Sequence, residues 1–182
     1  KPKKDRARPT FVLAQLKQRM HRSQEATELF DDVVRLRTPY EMEFQARIQQ
    51  AMAFERREGS SEGIREVLFD LLEEDKNEPY FDMVYYALAT LDLEERNRDQ
   101  GMDYLKEGLA LDSENRRTRM KSFLRLADLH LEDREYVPAQ AYYDSTLSNM
   151  DEDHPRYDQV RNNALSLTEL VEYLTVVYEK DS

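Results

Sequence analysis

The chain has 182 residues, with 38 Asp or Glu against 27 Lys or Arg, a formal net charge of −11, and no Cys or Trp. Four Gly and six Pro are too few for a turn-rich all-β sandwich, and the absence of Cys excludes a disulfide framework, a Cys-ligated zinc site and a thiol nucleophile. A 36% charged fraction beside 40% hydrophobic residues suits a helix-rich domain with a real core, and no run of about 18 apolar residues offers a membrane span.

The opening Lys1-Pro2-Lys3-Lys4 carries neither an initiator Met nor a signal peptide and reads as an internal stretch of a longer protein. Residues 1–22 hold eight Lys or Arg and one Asp, a net +7, which leaves −18 on the rest. A basic arm by itself suggests nucleic acid, but the acidic body would repel phosphates and anionic lipid. Neither nucleic acid nor membrane is therefore expected as a partner of this segment. The arm is expected to be a solvated first helix whose cations offset an acidic neighbour.

Helices are expected at 6–21, 24–37, 40–57, 61–75, 79–95, 98–111, 115–132, 136–149 and 155–178. Arg22-Ser23, Gly59-Ser60-Ser61, Arg96-Asn97 and Asp133-Arg134 read as turns inside helical hairpins. Thr38-Pro39, Asn77-Glu78-Pro79, Asp112-Ser113 and Asp153-His154-Pro155 read as turns between them. Pro39, Pro79 and Pro155 suit first-turn positions, where the missing N–H costs little. Pro138 also lies near the start of its helix.

One pattern recurs along this series. An aromatic or large apolar residue is followed by Leu and a small residue three and four positions on. A small residue comes thirteen after that Leu, then apolar residues four and seven further along. Tyr85, Leu88, Ala89, Gly101, Leu105 and Gly108 match it, as do Phe123, Leu126, Ala127, Ala139, Tyr143 and Thr146. Ile48, Ala51, Met52, Ile64, Leu68 and Leu71 match with looser sizes, and Leu13, Ala14, Ala26, Phe30 and Val33 form the first copy. The anchors 13, 51, 88 and 126 lie 38, 37 and 38 residues apart. A tetratricopeptide repeat spans 34 residues, so each copy here is longer by about one helical turn.

The short residues have a mechanical reason. Two antiparallel helices approach closely only where side chains are small, so Ala14, Ala89 and Ala127 are expected to face Ala26, Gly101 and Ala139. Met52 and Ile64 break the rule, and the second pair is expected to pack wider. The last helix differs: Val160, Ala164, Leu167, Val171, Leu174 and Tyr178 make one apolar stripe with no second arm after it. It is expected to cover the apolar edge of the fourth pair. The expected fold is all-α: a single domain over 1–182, a tetratricopeptide-type right-handed solenoid of four hairpins (6–37, 40–75, 79–111, 115–149) with a capping helix at 155–178.

The four copies resemble tetratricopeptide repeat proteins over nearly the whole chain. A narrower resemblance rests on phrases. These are Tyr85-Tyr86-Ala87-Leu88-Ala89, Leu126-Ala127-Asp128, the run from Tyr136-Val137-Pro138-Ala139 to Ser145, and Ser166-Leu167-Thr168-Glu169-Leu170-Val171. With Phe11-Val12-Leu13-Ala14-Gln15-Leu16 and Pro39-Tyr40-Glu41-Met42 they look similar to the SprE/PorW family. That resemblance implies a tetratricopeptide lipoprotein of Bacteroidetes serving gliding motility and type IX (Por) secretion, on the periplasmic side of the outer membrane. The lipid-bearing Cys of such a protein is absent from this segment, so the anchor would lie elsewhere.

No catalytic constellation stands out, and neither an enzyme nor a cofactor or metal site is expected. His21, His130 and His154 have no His or Cys at the helical spacing of a zinc site. Asp151-Glu152-Asp153 lacks the alternating ligands and central Gly of a calcium loop; Asp153 is expected to cap the last helix. Gly59 and Gly63 belong to a hairpin turn rather than a phosphate loop. Glu73-Glu74 and Glu94-Glu95 read as solvated helix faces.

A protein-binding groove is what remains. In a stack of hairpins the first helices line one face. The candidate positions are Met83, Tyr86, Thr90 and Leu93 in the third pair, Lys121, Leu124, Asp128 and Leu131 in the fourth, and Ala46, Gln49, Ala53 and Arg56 in the second. Several of them could instead pack within the solenoid, since core and groove share one periodicity. Tyr86, Thr90, Leu124 and Asp128 stand where chaperone-binding relatives carry a basic carboxylate clamp, so that role is not expected. Two functions stay open: a non-catalytic scaffold binding secretion-motor or translocon subunits, and a cytosolic peptide-binding adaptor. The oligomeric state is left open as well.

Overall fold

The computed structural model describes residues 4–36, 38–58 and 61–180. Among them the regular structure is helical: α1 (Lys4–Arg19), α2 (Ser23–Arg35), α3 (Tyr40–Glu58), α4 (Glu62–Glu73), a 3-10 turn (Asp75–Tyr80), α5 (Phe81–Glu94), α6 (Arg98–Ala110), α7 (Arg116–Glu132), α8 (Tyr136–Asn149) and α9 (Tyr157–Lys180). Residue contacts divide the chain into two compact units, Lys1–Leu91 and Asp92–Ser182. In the first, α1 packs on α2, α2 on α3 and α3 on α4; in the second, α6 packs on α7, α7 on α8 and α8 on α9.

Apart from its leading positions, Leu13 and the half-buried Ala51, the short and apolar residues of the repeated pattern are buried. Ala14, Ala89 and Ala127 are fully buried at the small position of the first helices, and Met52 stands there at 5% exposure. Ala26, Ile64, Gly101 and Ala139 are buried on the second helices, followed by Phe30, Leu68, Leu105 and Tyr143, then Val33, Leu71, Gly108 and Thr146. Burial in one phase across four copies is what sequential helix stacking demands, because each second helix must present the same stripe to its partner. In the first unit Phe11, Ala14, Ala26, Phe30, Val33, Ala46 and Ala53 form one cluster, with Phe11 edge-on to Phe30 at 5.6 Å. In the second, Met120, Leu124, Ala127, Ala139, Tyr143, Met150, Val160, Ala164 and Leu167 form another. There Val160, Ala164 and Leu167 of the expected α9 stripe join the cluster with α7 and α8, and Leu170, rather than Val171, packs next against it; the side chain of Tyr178 lies outside the described ones.

The hairpin turns repeat as faithfully as the core. His21, Arg96 and Arg134 adopt left-handed backbone, with φ of 57°, 66° and 60°. In each case the next residue's N–H bonds five residues back: Arg22 to Lys17, Asn97 to Asp92, Glu135 to His130. This is the Schellman ending of an α-helix. Arg22, Asn97 and Glu135 then serve as N-caps of α2, α6 and α8, so one three-residue turn both closes and opens a helix. Gly59 stands at the matching phase in the second copy, outside the described residues together with Ser60.

Four local expectations need correction. The helix expected from Pro79 starts at Phe81, because Pro79 belongs to the 3-10 turn. The helix expected from Pro155 starts at Tyr157, and the backbone of Arg156 donates to His154 Nδ1 at 3.2 Å. Asp153 is consequently four residues ahead of α9, too far to cap its first N–H groups. Leu13, an anchor of the pattern, is 44% exposed rather than buried. Only one side of α1 meets α2, and Phe11 and Ala14 occupy it.

The 3-10 turn holds a buried polar device. Asn77 is fully buried; its Nδ2 donates to the Leu71 carbonyl at 2.8 Å and its Oδ1 accepts from the Tyr40 hydroxyl at 2.6 Å. The Leu71 carbonyl is one of the last in α4, so Asn77 satisfies a helix C-terminus while locking Tyr40 at the start of α3. Tyr40 also stacks near Phe44 and Tyr80.

Candidate functional site

The candidate groove residues divide into those held in cores and those nearer the surface. Leu124 is 8% exposed and belongs to the cluster formed by α7, α8 and α9, and Leu131 packs against the same cluster. Both were expected in a groove. They face the hairpin interior because 124, 127 and 131 lie on one side of α7, and Ala127 is the residue that touches α8. Ala46 and Ala53 are likewise core residues, fully buried against α1 and α2. Arg56 has its side chain outside the described ones. Met83, Tyr86, Thr90, Leu93 and Lys121 are half-buried, and the Thr90 hydroxyl donates to the Tyr86 carbonyl at 2.8 Å.

Asp128 is tied into its own hairpin. Its Oδ1 accepts from the Tyr143 hydroxyl at 2.7 Å, and Arg156 approaches its other oxygen at 3.8 Å. The Tyr143 hydroxyl in turn accepts from Asn163 Nδ2 at 3.3 Å. Burial first, then the Asp128 carboxylate, push the Tyr143 phenol up to about 12, so it stays a donor. This network joins α7, α8 and α9 and leaves Asp128 little freedom to take a ligand.

A concave feature absent from the sequence reading lies in the first unit. A cleft of about 440 Å³ opens over α3, lined by Thr27 and Val34 of α2, Arg47, Gln50 and Ala51 of α3, and Val67 and Leu71 of α4. Each helix contributes residues three, four or seven apart, hence one face of each. The lining is mostly apolar. Arg47 at its edge is paired with Glu43 at 2.7 Å. A signal for this cleft was available. The anchor position holds Leu in the other three copies and Ala51 here, while Leu126 is fully buried at the same place in the fourth copy. Three missing side-chain carbons leave room that neighbours do not fill.

Polar and charged groups elsewhere serve the helices. Lys17 and Arg22 both pair with Glu25, at 2.7 and 2.6 Å, so the basic arm offsets the acidic start of α2. Hydrogen bonding from Lys17 holds the Glu25 carboxyl below its usual value. Arg98, opening α6, bonds Glu132 at 3.0 Å and Asp133 at 2.9 Å and donates to the Leu129 carbonyl near the end of α7. His130 contacts Glu135 and stacks on Tyr142 at 5.3 Å. Among the described residues no group of three or more His, Cys, Asp or Glu could hold a metal ion. No helix among them is long and apolar enough to cross a membrane.

Buried positions that recur in one phase along the chain, with the same left-handed turn at His21, Arg96 and Arg134, define an all-α protein of the tetratricopeptide type. No protein-family model matches the sequence, and no curated protein matches it. A solved structure from a functional characterisation of Pseudomonas aeruginosa pilF is similar to it with a TM-score of 0.41 and 19% identity, covering 93% of this chain and 92% of that one.

Proposed function

We propose that this chain is a non-catalytic scaffold that binds other proteins. The observation that carries the reading is where the buried residues go. Each copy of the repeat commits its short and apolar positions to helix stacking. The cleft over Ala51 is mostly apolar, and its one hydroxyl, on Thr27, donates to the Ser23 carbonyl with no His, Asp or Glu in the lining to activate it. Repeat units of this kind offer long stacked surfaces, whose use is recognition.

The resemblance of the Tyr85–Ala89, Tyr136–Ser145 and Ser166–Val171 phrases to the SprE/PorW family directs the proposal further. The chain would serve type IX secretion and gliding motility, as part of a lipoprotein on the periplasmic side of the outer membrane. Its partners would be secretion-motor or translocon subunits, held noncovalently. The −18 carried by residues 23–182 would steer basic partner segments toward it, at a rate that falls as salt rises.

The test is affinity capture from native envelopes at several salt concentrations, with crosslinking and mass spectrometry to name neighbours. Motor or translocon subunits crosslinked to this chain, and retained less as salt rises, support the assignment. Retention of none at any salt concentration overturns it.

A further inference from the structure

Two helices in the chain bury one face and leave a second apolar face open, and the open faces carry opposite charge. On α1, Val12, Leu13, Leu16 and Met20 are 48, 44, 49 and 61% exposed. Their spacings place them on one side of the helix, opposite Phe11 and Ala14. Cations flank this stripe on both edges: Arg8 and Arg19 along one, Arg6 and Lys17 along the other. All three arginines are exposed, and Lys17 reaches across to Glu25.

On α9 the buried side is Val160, Ala164 and Leu167. The other side shows Leu165, Tyr173 and Val176 at 56, 67 and 47% exposure. Glu169 lies between Leu165 and Tyr173 with Glu172 beside it, and Asp158 lies two turns before Leu165, against the single Arg161. A helix with a solvated outer face would place polar residues at these positions. Val12 to Met20 advances eight residues and Leu165 to Val176 eleven, about 12 and 16 Å of helix.

We propose that the basic apolar face of α1 docks on the acidic apolar face of α9 in a second copy of this chain. Both stripes are exposed and largely apolar, that of α9 interrupted by Glu169, and their flanking charges attract. An anionic lipid surface would suit α1 alone, but the acidic remainder of the chain would be repelled by it. The contact joins two different patches, so it is heterologous: association continues from copy to copy until a ring closes or the supply of chains ends.

Sedimentation of the 182-residue chain tests this. At low salt the average mass is expected to climb with concentration above the 21.7 kDa of one chain, and to fall back at about 0.5 M salt, where charges are screened within a few Å. The variant Arg8→Glu with Arg19→Glu, and separately Glu169→Lys with Glu172→Lys, should each stay monomeric with an unchanged helical circular dichroism spectrum. Mixed in equal amounts, the two should associate again, since the intact α1 of one meets the intact α9 of the other and the two reversed faces are complementary in their turn. A parent chain that remains monomeric at high concentration and low salt overturns the proposal. So does self-association that survives in the α9 variant, which would make the contact α1 to α1. Capture of the chain by phosphatidylglycerol vesicles without self-association assigns the α1 face to lipid and overturns it too.

Discussion

Tyr143 donates its hydroxyl to Asp128 Oδ1 at 2.7 Å, tying α8 to α7, and the Tyr143 hydroxyl oxygen itself accepts from Asn163 Nδ2 of α9. One phenol thereby fixes three helices of the second unit. Tyr143→Phe keeps the ring in its core site and removes both bonds, so it is expected to cost about 1–1.5 kcal/mol. The difference between parent and variant also depends on pH. The folded chain holds the phenol proton up to about 12, against an ordinary value of 10.0. The stabilisation is therefore complete below pH 10 and is lost as the pH rises through 12. Urea unfolding of both proteins across that window should show the gap narrowing. A gap that stays constant would mean that Tyr143 does not ionise differently on folding.

Asn77 makes a comparable tie in the first unit, between Tyr40 on α3 and the Leu71 carbonyl of α4. Asn77→Ala strands a buried carbonyl and a buried hydroxyl, and is expected to cost about 2–3 kcal/mol. Asn77→Asp preserves shape and acceptor but loses the donor to Leu71, and places a buried charge; it should do no better. Tyr40→Phe tests the other arm and should cost less than Asn77→Ala, since it removes one bond. The ranking of the three in denaturant unfolding is the check, and equal costs would count against Asn77 as the shared centre.

These two ties show what the sequence made legible and what it did not. The helix crossings were legible because close approach admits only short side chains, so Ala14 with Ala26 and Ala127 with Ala139 announce their own contacts. The burial of Phe30, Leu68, Leu105 and Tyr143 follows from the same phase. Asn77 reads as part of a turn in Asn77-Glu78-Pro79, and its burial depends on Tyr40, 37 residues earlier. Leu124 and Leu131 read as groove or core alike because the two share the helical period, and in the fold both go to the cluster of α7, α8 and α9. Leu13 shows the converse. Its place in the pattern marks where a neighbour could sit, and α2 meets the other side of the helix.

The three left-handed turn residues predict a stabilising change. His21, Arg96 and Arg134 hold φ near +60°, where a Cβ is crowded and Gly is not. Arg96→Gly and Arg134→Gly should each stabilise the chain by about 0.5–1 kcal/mol, even though Gly is more flexible when unfolded. The choice of these two is deliberate, for both side chains are exposed. The pair is expected to depart from additivity, because Arg98, two residues beyond Arg96, bonds Asp133, the residue before Arg134. Thermal unfolding would reveal it as a rise of about 2–4 °C per kcal/mol in a chain of this size. Loss of stability in both variants would show that Arg96 and Arg134 contribute contacts worth more than the strain.

Ala51 offers the sharpest test of the repeat reading, since it is the one anchor where the pattern's large residue is missing and a cleft stands instead. Restoring the residue in Ala51→Leu should place three carbons against Val34, Val67 and Leu71. Full burial would yield about 2 kcal/mol, and the cleft is open, so about 1–2 kcal/mol of added stability is expected. Overpacking is the competing effect, and it normally costs 1–3 kcal/mol where no space exists. The sign of the change therefore reports whether the cleft is real room. The opposite substitution at the equivalent site, Leu126→Ala, empties a fully buried position and should cost about 2–5 kcal/mol. Stabilisation at 51 together with destabilisation at 126 would establish that the two positions are the same place in the repeat, filled in one copy and vacant in the other. Destabilisation by both changes would mean that α2, α3 and α4 have already closed around the smaller side chain.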